Sequence, residues 1–298
     1  MLEFVLMIVL LFLFPFLFVG IINRTKAFWG GRQGASIFQP LYDFIKLFKK
    51  GEVISSTTSF IFNIAPSVTF TSIIFAGLLV PLINQKSFLS FEGDFILFAY
   101  ILALGKFFSL ISAMDTGSSF EGMGASREAG FSTLVEPAFF ITIASIAALS
   151  GNYSFQSLFL IFNNTGELGI LIILLSVLVI FMMILVEGCR VPVDDPNTHL
   201  ELTMIHEVMV LDNSGPDLAL INYGSAMKMV IFSALIANML HPAVFLLIPI
   251  IIGTLESTVA RFRFSRLFEF IFLMCSVSLV VLALTMIALY ENPVGLIK

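Results

Sequence analysis

Two acidic side chains within an apolar segment are spaced for proton chemistry. Glu128, Ser132 and Glu136 follow one another at i, i+4 and i+8, so both carboxyl groups lie toward the same side of one helix. Glu136 lies about two turns further along the segment than Glu128. Carboxylates held in apolar surroundings pair with cations or line an ion path, where they relay protons. The spacing therefore predicts a polar route into an apolar bundle.

Four further charged residues fall inside, or at the end of, apolar segments. They are Lys106, Glu187, Lys228 and Glu256. Two local explanations compete with an ion path. Glu187 and Arg190, three residues apart, alternatively form an ion pair on one helix. The side chains of Glu187, Lys228 and Glu256 lie near helix ends and could instead extend to the polar boundary of the membrane (snorkelling). This explanation fits Lys106 less well. We predict that these charges and Asp115 belong to one ion path.

A second polar cluster contains two histidines without the spacing of a metal site. His199, Thr203 and His206 at i, i+4 and i+7 form one stripe of a helix. The zinc-binding pattern HExxH needs histidines four residues apart, so we predict no metal ligands and no catalytic residues. Three acids nearby are further candidates for the ion path: Glu201, Glu207 and Asp212. Cys189 and Cys275 lie in different apolar segments and form no disulfide framework.

The composition decides which elements must position these residues. The 298-residue chain is 58% hydrophobic and only 12% charged, whereas soluble domains carry about 25% charged residues. A soluble chain of this size needs a polar shell that this composition lacks. A soluble enzyme, a disordered chain and a secreted disulfide scaffold are therefore excluded. We predict a single all-α polytopic membrane domain over residues 1–298.

Eight apolar windows are long enough to cross a bilayer core about 30 Å thick. They are Phe4–Ile22, Phe60–Ile83, Phe95–Met114, Ala129–Ser150, Leu168–Glu187, Tyr223–Leu240, Pro242–Val259 and Leu267–Tyr290. All must be helices, because lipid leaves no other partner for the backbone and no barrel alternation is present. The shorter stretch Tyr153–Phe162 is expected to be re-entrant or interfacial.

Basic residues predict the orientation of the spans. Eleven lysines and arginines lie in loops after odd-numbered spans, against Lys86 and Lys298 on the other side. By the positive-inside rule, both termini face outward and the odd loops face the cytoplasm. We expect the protein to be a multi-pass protein of the cytoplasmic (inner) membrane. The odd loops cover residues 23–59, 115–128, 190–222 and 260–266. We interpret them as docking loops.

The first loop contains an amphipathic helix. In Gln39–Gly51, Pro40 suits the first turn and Gly51 the stop. Its apolar residues recur at i, i+3, i+4 and i+7, with three lysines off that face: Leu41, Phe44, Ile45 and Phe48 against Lys46, Lys49 and Lys50. This pattern predicts an interfacial helix, either docking beside a cytoplasmic partner or serving as a simple membrane anchor.

Motifs in all four cytoplasmic loops resemble the heel subunit (H subunit) of the membrane arm of respiratory complex I. The matching runs are Arg32-Gln33-Gly34 with Gln39-Pro40 and Asp43, Asp115-Thr116-Gly117 with Arg127-Glu128 and Glu136-Pro137, Glu187 to Asp194 with Glu201-Leu202, and Glu256 with Ala260-Arg261. Ala35 stands where the family usually has proline, and Asp212 where it has glutamate. The second and third runs are similar to the branch found in group 4 nickel–iron hydrogenases and formate hydrogenlyases.

The resemblance implies an anchor for a cytoplasmic arm that carries iron–sulfur clusters and, in the hydrogenase branch, a nickel–iron site. It also implies antiporter-like membrane partners, and no cofactor in this chain. Residues implied in docking or in framing a cavity are Arg32, Gln39, Asp43, Lys46, Arg127, Arg190, Asp194, His199, His206 and Arg261. A quinone-framing subunit of NADH-quinone oxidoreductase, a stand-alone ion transporter and a purely structural anchor remain as alternatives.

Overall fold

The computed structural model describes residues 2–82, 87–160, 166–195 and 204–291. Within these ranges the chain is helical and has no strand. The helices are α1 Leu2–Trp29, α2 Gln39–Phe48, α3 Phe60–Leu79, α4 Asp94–Asp115, α5 Ser119–Ser150, α6 Phe155–Leu158, α7 Glu167–Glu187, α8 His206–Met209, α9 Gly215–Met239, α10 Val244–Thr258 and α11 Phe264–Glu291. The all-α prediction is confirmed.

Seven of the helices in the described part of the chain are long and apolar enough to cross a membrane. They are α1, α3, α4, α5, α7, α9 and α11. The remaining predicted span, Pro242–Val259, corresponds to α10, which has 15 residues. Fifteen residues rise only about 22 Å, less than the roughly 30 Å of a bilayer core. The predicted outward orientation of both termini stays a prediction.

Three helices extend into segments that hydropathy predicted as loops. α1 continues past Ile22 to Trp29, α5 begins at Ser119 instead of Ala129, and α9 begins at Gly215 instead of Tyr223. Apolar windows mark only the part of a helix that faces lipid or core, whereas the backbone continues into polar turns. The helical part of the predicted loop 115–128 therefore projects beyond the apolar core.

Helix α9 occupies the centre of the bundle, and α4 and α11 lie at its edge. The most apolar window of α9 is 72% buried, against 22% for α4 and 28% for α11. α9 packs against α1, α3, α7, α10 and the amphipathic α2. Gly77 of α3 lies against Leu11 of α1 and Ile231 of α9, where a Cβ would clash. Lys228, on α9, therefore lies in a helix that is surrounded by other helices.

The expected short elements also form. The amphipathic helix predicted for the first loop is α2, with Pro40 in its first turn. The stretch that we expected to be re-entrant contains α6, which lies near the start of α4 because Asp94 accepts hydrogen bonds from Phe155 N and Ser154 Oγ, both at 2.8 Å. Its last residues lie outside the described ranges.

Asp115, a candidate for the ion path, caps a helix. Its Oδ2 accepts hydrogen bonds from Ser59 N at 2.7 Å, Ser59 Oγ at 2.9 Å and Phe62 N at 3.3 Å. Ser59 in turn accepts from Ile61 N. These bonds satisfy donors at the start of α3 that have no partner within the helix.

We expect Asp115→Ala to lower the free energy of unfolding by about 1–2 kcal/mol, because a side-chain cap of this kind is lost. Thermal unfolding of the purified chain in detergent measures the change. Glu92→Ala, which removes an exposed carboxylate, is the control and should stay within about 0.5 kcal/mol of wild type. Equal stability of the two variants would show that Asp115 does not cap α3.

Candidate functional site

Charged side chains from five helices form a continuous series of ion pairs inside the bundle. We call it the ion-pair chain. Its members alternate in sign, with histidine counted as a cation only when protonated, and run His206 (α8), Glu128 (α5), Lys106 (α4), Glu187 (α7) and Lys228 (α9), with Glu136 (α5) as a branch. Four of these helices, α4, α5, α7 and α9, carry the acids and bases that the sequence analysis predicted within apolar segments.

Lys106 is the centre of the ion-pair chain. Its Nζ donates a short hydrogen bond to Glu187 Oε1 and lies 3.2 Å from Glu128 Oε1 and 3.9 Å from Glu136 Oε1. Only 9% of its side chain is exposed. Because an unpaired buried ammonium is strongly destabilising, the surrounding carboxylates are what keep Lys106 charged in this position.

The two ends of the ion-pair chain reach α9 and α8. Lys228 Nζ donates to Glu187 Oε2 at 3.1 Å, so Glu187 bridges two lysines. His206 Nδ1 lies 3.2 Å from Glu128 Oε2, and Ser132 Oγ donates to Glu128 Oε1 at 3.1 Å. The local Glu187–Arg190 ion pair considered as an alternative does not form, because both residues have partners on other elements.

Two cavities meet at the ion-pair chain. The larger, about 410 Å³, is lined by His206, Glu128, Lys228 and residues of α1, α2 and α3. The smaller, about 30 Å³, lies beside Glu136. Lys106 and Glu187 line both cavities, so this ion pair stands between them.

Glu136 connects the smaller cavity to the outside of the bundle. Its side chain is 38% exposed, against 4% for Glu128 two turns earlier. A half-exposed carboxyl group on an apolar helix surface is unfavourable in contact with lipid alone. Polar groups therefore extend from the larger cavity, through the Lys106–Glu187 pair, to the partly exposed Glu136.

The larger cavity is polar enough to hold water. Two buried donors in its wall, Arg190 Nε and Asn213 Nδ2, have no hydrogen-bond partner among the residues that the structure describes. A polar cavity of this size accommodates several water molecules, each of which satisfies such donors. Water-linked carboxyl groups are a medium for proton movement.

Glu207, at the wall of the larger cavity, has an unusual acidity. Burial raises the pKa of Glu207 from 4.5 to about 7, with a further increase from the negative charges of Asp194 and Asp195 and a partial decrease from Arg190. A carboxyl group of this pKa exchanges protons near neutral pH. Among the predicted acids, Glu207 is thus suited to take up a proton outside the membrane spans.

We expect the stability to fall as pH rises through the range in which Glu207 ionises. Between about pH 4.5 and 7 the folded chain keeps this proton and the unfolded chain releases it, so unfolding is favoured as pH rises. Between pH 5 and pH 8 the free energy of unfolding should fall by about 2–3 kcal/mol more in the wild type than in Glu207→Gln. Thermal unfolding at both pH values measures the difference. Glu167→Gln changes an exposed acid and is the control. If it reduces the pH dependence of the free energy of unfolding as much as Glu207→Gln does, Glu207 is not the titrating group.

Glu256 belongs to a second buried cluster, separate from the ion-pair chain. Its side chain is fully buried between Lys26 Nζ at 2.7 Å and Arg190 Nη1 at 3.4 Å. This cluster ties α1 and α10 to the segment after α7. The snorkelling alternative does not describe Glu256, Glu187 or Lys228, since all three are buried or nearly so and paired inside the bundle.

Asp194 organises the segment that carries His206. Its Oδ2 accepts from Ile205 N at 3.1 Å and His206 N at 3.0 Å, and Arg261 Nη2 lies 3.1 Å from its Oδ1. Asp194 and Arg190 are 1% and 7% exposed. In this chain these two residues therefore support the site from inside and do not form an open docking surface.

Some of the other predicted site residues are exposed, some form hydrogen bonds to other segments, and two lie outside the described residues. Four candidates for docking on the first loop are exposed or half-buried: Arg32, Gln39, Asp43 and Lys46. Arg127 Nη1 donates to Met204 O at 2.7 Å, which holds α5 to the start of α8. Asp212 is exposed, and its backbone N–H donates a hydrogen bond to a carboxylate of α5. His199 and Glu201 lie outside the described residues.

That carboxylate, Glu121, was missed by the sequence prediction. It is fully buried and its Oε1 accepts from Asp212 N at 3.0 Å. The pattern Ser118-x-x-Glu121, a capping-box signature, was the available signal for an acid fixed at a helix start. Here the acid contacts the fifth loop, so Glu121 joins α5 to the segment before α9.

The fold and the paired charges define a multi-pass membrane protein with a polar interior. Residues 2–288 match the NADH dehydrogenase family. The chain belongs to this family, which confirms the resemblance stated from the loop motifs. The structure of the membrane-bound sulfane sulfur reductase, an archaeal respiratory membrane complex, contains a chain of the same fold, with a TM-score of 0.78, 20% identity, and coverage of 95% of this chain and 98% of that one.

Curated relatives include subunits of hydrogenase systems. Hydrogenase-4 component C of Escherichia coli (strain K12) is 32% identical over 238 residues, which are 79% of this chain and 73% of that protein. Formate hydrogenlyase subunit 4 of the same organism is 31% identical over 139 residues, 47% of this chain and 45% of that protein. NADH-ubiquinone oxidoreductase chain 1 of Dictyostelium citrinum is 27% identical over 67% of this chain and 61% of its own length.

Proposed function

We propose that this membrane subunit anchors a cytoplasmic redox arm and couples its electron transfer to ion translocation. The family match and the relatives named as hydrogenase-4 component C and formate hydrogenlyase subunit 4 support this proposal. The observation that carries the coupling role is the Lys106–Glu187 pair, which lines both the larger cavity and the small cavity beside Glu136. A structural anchor alone needs no such route, and a stand-alone transporter has no need of the first-loop and fifth-loop docking segments.

The complex that we propose is a group 4 membrane-bound nickel–iron hydrogenase or a formate hydrogenlyase in the cytoplasmic membrane. The support is the 32% identity with hydrogenase-4 component C and the departures at Ala35 and Asp212 from the quinone-reducing pattern. Its partners would be iron–sulfur and hydrogenase-like subunits on the cytoplasmic side and antiporter-like subunits in the membrane. The quinone-framing subunit of NADH-quinone oxidoreductase is the second candidate, favoured by the aromatic residues in the wall of the larger cavity, Phe16, Phe44, Phe70 and Tyr223.

The redox groups would belong to the partners. Within the described ranges, no three histidine, cysteine, aspartate or glutamate side chains converge as metal ligands. We propose that iron–sulfur and nickel–iron chemistry belongs to the cytoplasmic arm, and that this chain handles charge.

The coupling step that we propose is electrostatic. An electron arriving in the arm near α8 adds negative charge close to Glu207, which favours its protonated form and draws a proton into the larger cavity. Glu128 and Glu187 then exchange cation partners around Lys106, and the change reaches Glu136 at the bundle surface. Glu128, Glu187, Lys106 and Glu136 are already in contact, and Glu207 lines the same larger cavity as Glu128 and Glu187.

A gentle detergent purification of the tagged chain, with metal analysis and vesicle reconstitution, tests both parts. Nickel and iron in the co-purified fraction, with ion uptake driven by electron transfer, are the expected results. Iron and flavin without nickel would instead support the second candidate, a subunit of NADH-quinone oxidoreductase. A chain that purifies without a metal-containing partner would overturn the anchoring role, and electron transfer without ion movement would overturn the coupling role.

A further inference from the structure

The amphipathic helix α2 has one side against the bundle. Phe44 places its ring 5.4 Å from Phe16 of α1 and 5.2 Å from Tyr223 of α9. Leu41 packs against the same core. This side fixes how α2 is rotated about its axis, and so decides which of its residues point away from the protein.

The neighbouring side of α2 is apolar and has no cover in the described chain. Ile45 and Phe48 are 41% and 47% exposed, and Tyr42 is 59% exposed. On a helical wheel, Phe48 lies between Phe44 and Leu41 but, in the last turn, stays about half exposed. Ile45 lies at the edge of the buried side, and Lys49, Tyr42 and Lys46 follow. An apolar edge flanked by an aromatic hydroxyl and lysines is the arrangement of a helix that rests in a lipid headgroup layer.

The packing also places α2 at the level of a membrane boundary. α1 has 28 residues and is about 42 Å long, roughly 12 Å more than a bilayer core. The segment leading into α2 returns along α1, because Ile37 O occupies the space where Gly20 would carry a Cβ. Gly20 lies nine residues, about 14 Å, before the end of α1 at Trp29. α2 therefore lies beside the bundle near the boundary of the core and not beyond its tip.

Charge indicates which lipid suits this position. Lys46, Lys49 and Lys50 are exposed in one short stretch. The acid on α2, Asp43, accepts a hydrogen bond from Gln39 Nε2 at 2.9 Å. Lysines near a membrane surface attract anionic headgroups. Three of them together enrich anionic lipids severalfold beside the helix.

We propose that α2 is an anionic-phospholipid binding element, in which Ile45 and Phe48 insert among acyl chains and Lys46, Lys49 and Lys50 hold the phosphates of the headgroups. This role follows from α2 alone and does not rest on the proposed coupling route. Lys46, which the loop motifs implied in docking or in framing a cavity, is assigned here to the lipid surface. The element selects the lipid composition at the membrane mouth of the larger cavity, whose wall includes Phe44 and Leu47 of α2.

A single tryptophan placed on this face tests the proposal. The chain has one tryptophan, so Phe48→Trp in a Trp29→Phe background gives one local emitter. The full chain is reconstituted into vesicles that contain either dibromo-phosphatidylglycerol or dibromo-phosphatidylcholine at equal mole fraction. We expect both lipids to quench the indole, and the anionic one about 3-fold more strongly. If Phe48→Trp does not fold, Ile45→Trp replaces it as the emitter.

Charge variants separate the lysines from the rest of the surface. Lys46→Gln/Lys49→Gln/Lys50→Gln should bring the two quenching values together, whereas Arg263→Gln/Arg266→Gln, with exposed charges elsewhere, should leave the 3-fold preference. Quenching by aqueous iodide but not by either lipid would assign the face to water or a soluble protein and overturn the proposal. Equal quenching by both lipids in the parent, or a preference that survives the lysine changes, would overturn it as well.

Discussion

Replacing Lys106 by methionine is expected to lower the free energy of unfolding by about 3–5 kcal/mol, the largest stability loss that we predict. The change leaves Glu128 and Glu187, both nearly buried, with one cationic neighbour fewer, and Glu136 without its described ion pair. Thermal unfolding in detergent, combined with the yield of folded chain in the membrane fraction, measures the effect.

A double-variant cycle distinguishes charge compensation from lost packing. Lys106→Met/Glu136→Gln removes one base together with the acid whose described ion pair is with that base, and leaves the His206–Glu128 and Lys228–Glu187 pairs in place. It should recover part of the stability, because fewer unpaired charges remain than in Lys106→Met. Lys46→Met, at an exposed lysine, should stay within about 0.5 kcal/mol of wild type. If Lys106→Met is as stable as Lys46→Met, the ion-pair chain does not stabilise the bundle.

Neutralising Glu136 is expected to abolish ion translocation while leaving the complex assembled. Glu136 is 3.9 Å from Lys106, which keeps closer contacts with Glu128 and Glu187, so Glu136→Gln should fold. We expect ion movement per electron to fall about 10-fold or more in reconstituted vesicles, a loss in the range typical for removal of a proton-transfer group. Electron transfer measured with artificial acceptors should remain.

Two further variants make this result specific. Glu136→Asp keeps a carboxyl group and should retain part of the translocation. Glu269→Gln removes an exposed acid at the start of α11 and should leave the ratio of ions to electrons unchanged. Translocation at the wild-type ratio in Glu136→Gln would contradict the proposed route, whereas parallel loss of electron transfer and assembly would assign Glu136 to structure.

The helical class of the fold could be predicted because the apolar windows dominate the sequence. The ends of helices could not be, since α5 continues through the polar residues from Ser119 to Glu128 where hydropathy falls. Those turns are stabilised by helix propensity and tertiary packing, and not by the free energy of transferring apolar side chains to lipid. For the same reason the sequence analysis did not select Glu121, whose buried carboxylate accepts a hydrogen bond from the distant Asp212.

The charged residues of the site could be predicted, but their pairing could not. Spacing along one helix identified Glu128 and Glu136 as neighbours, because that relation is local. The partners of Glu187 come from α4 and α9, about 80 and 40 residues away along the chain. Which helices become adjacent depends on close contacts such as Gly77 against Leu11, and no periodicity in a single sequence reports them.

The short turn between α4 and α5 bears on how the protein enters its membrane. Only residues 116–118 separate the two helices, so they emerge from the ribosome in succession and reach the translocon as a hairpin. A lone lysine at the centre of a helix opposes insertion by about 2.5–3.5 kcal/mol. Lys106 meets Glu128 within this hairpin, before α7 and α9 have been synthesised. We therefore expect α4 and α5 to insert as one unit, so that membrane insertion depends on the same Lys106–Glu128 pair that lies inside the folded bundle.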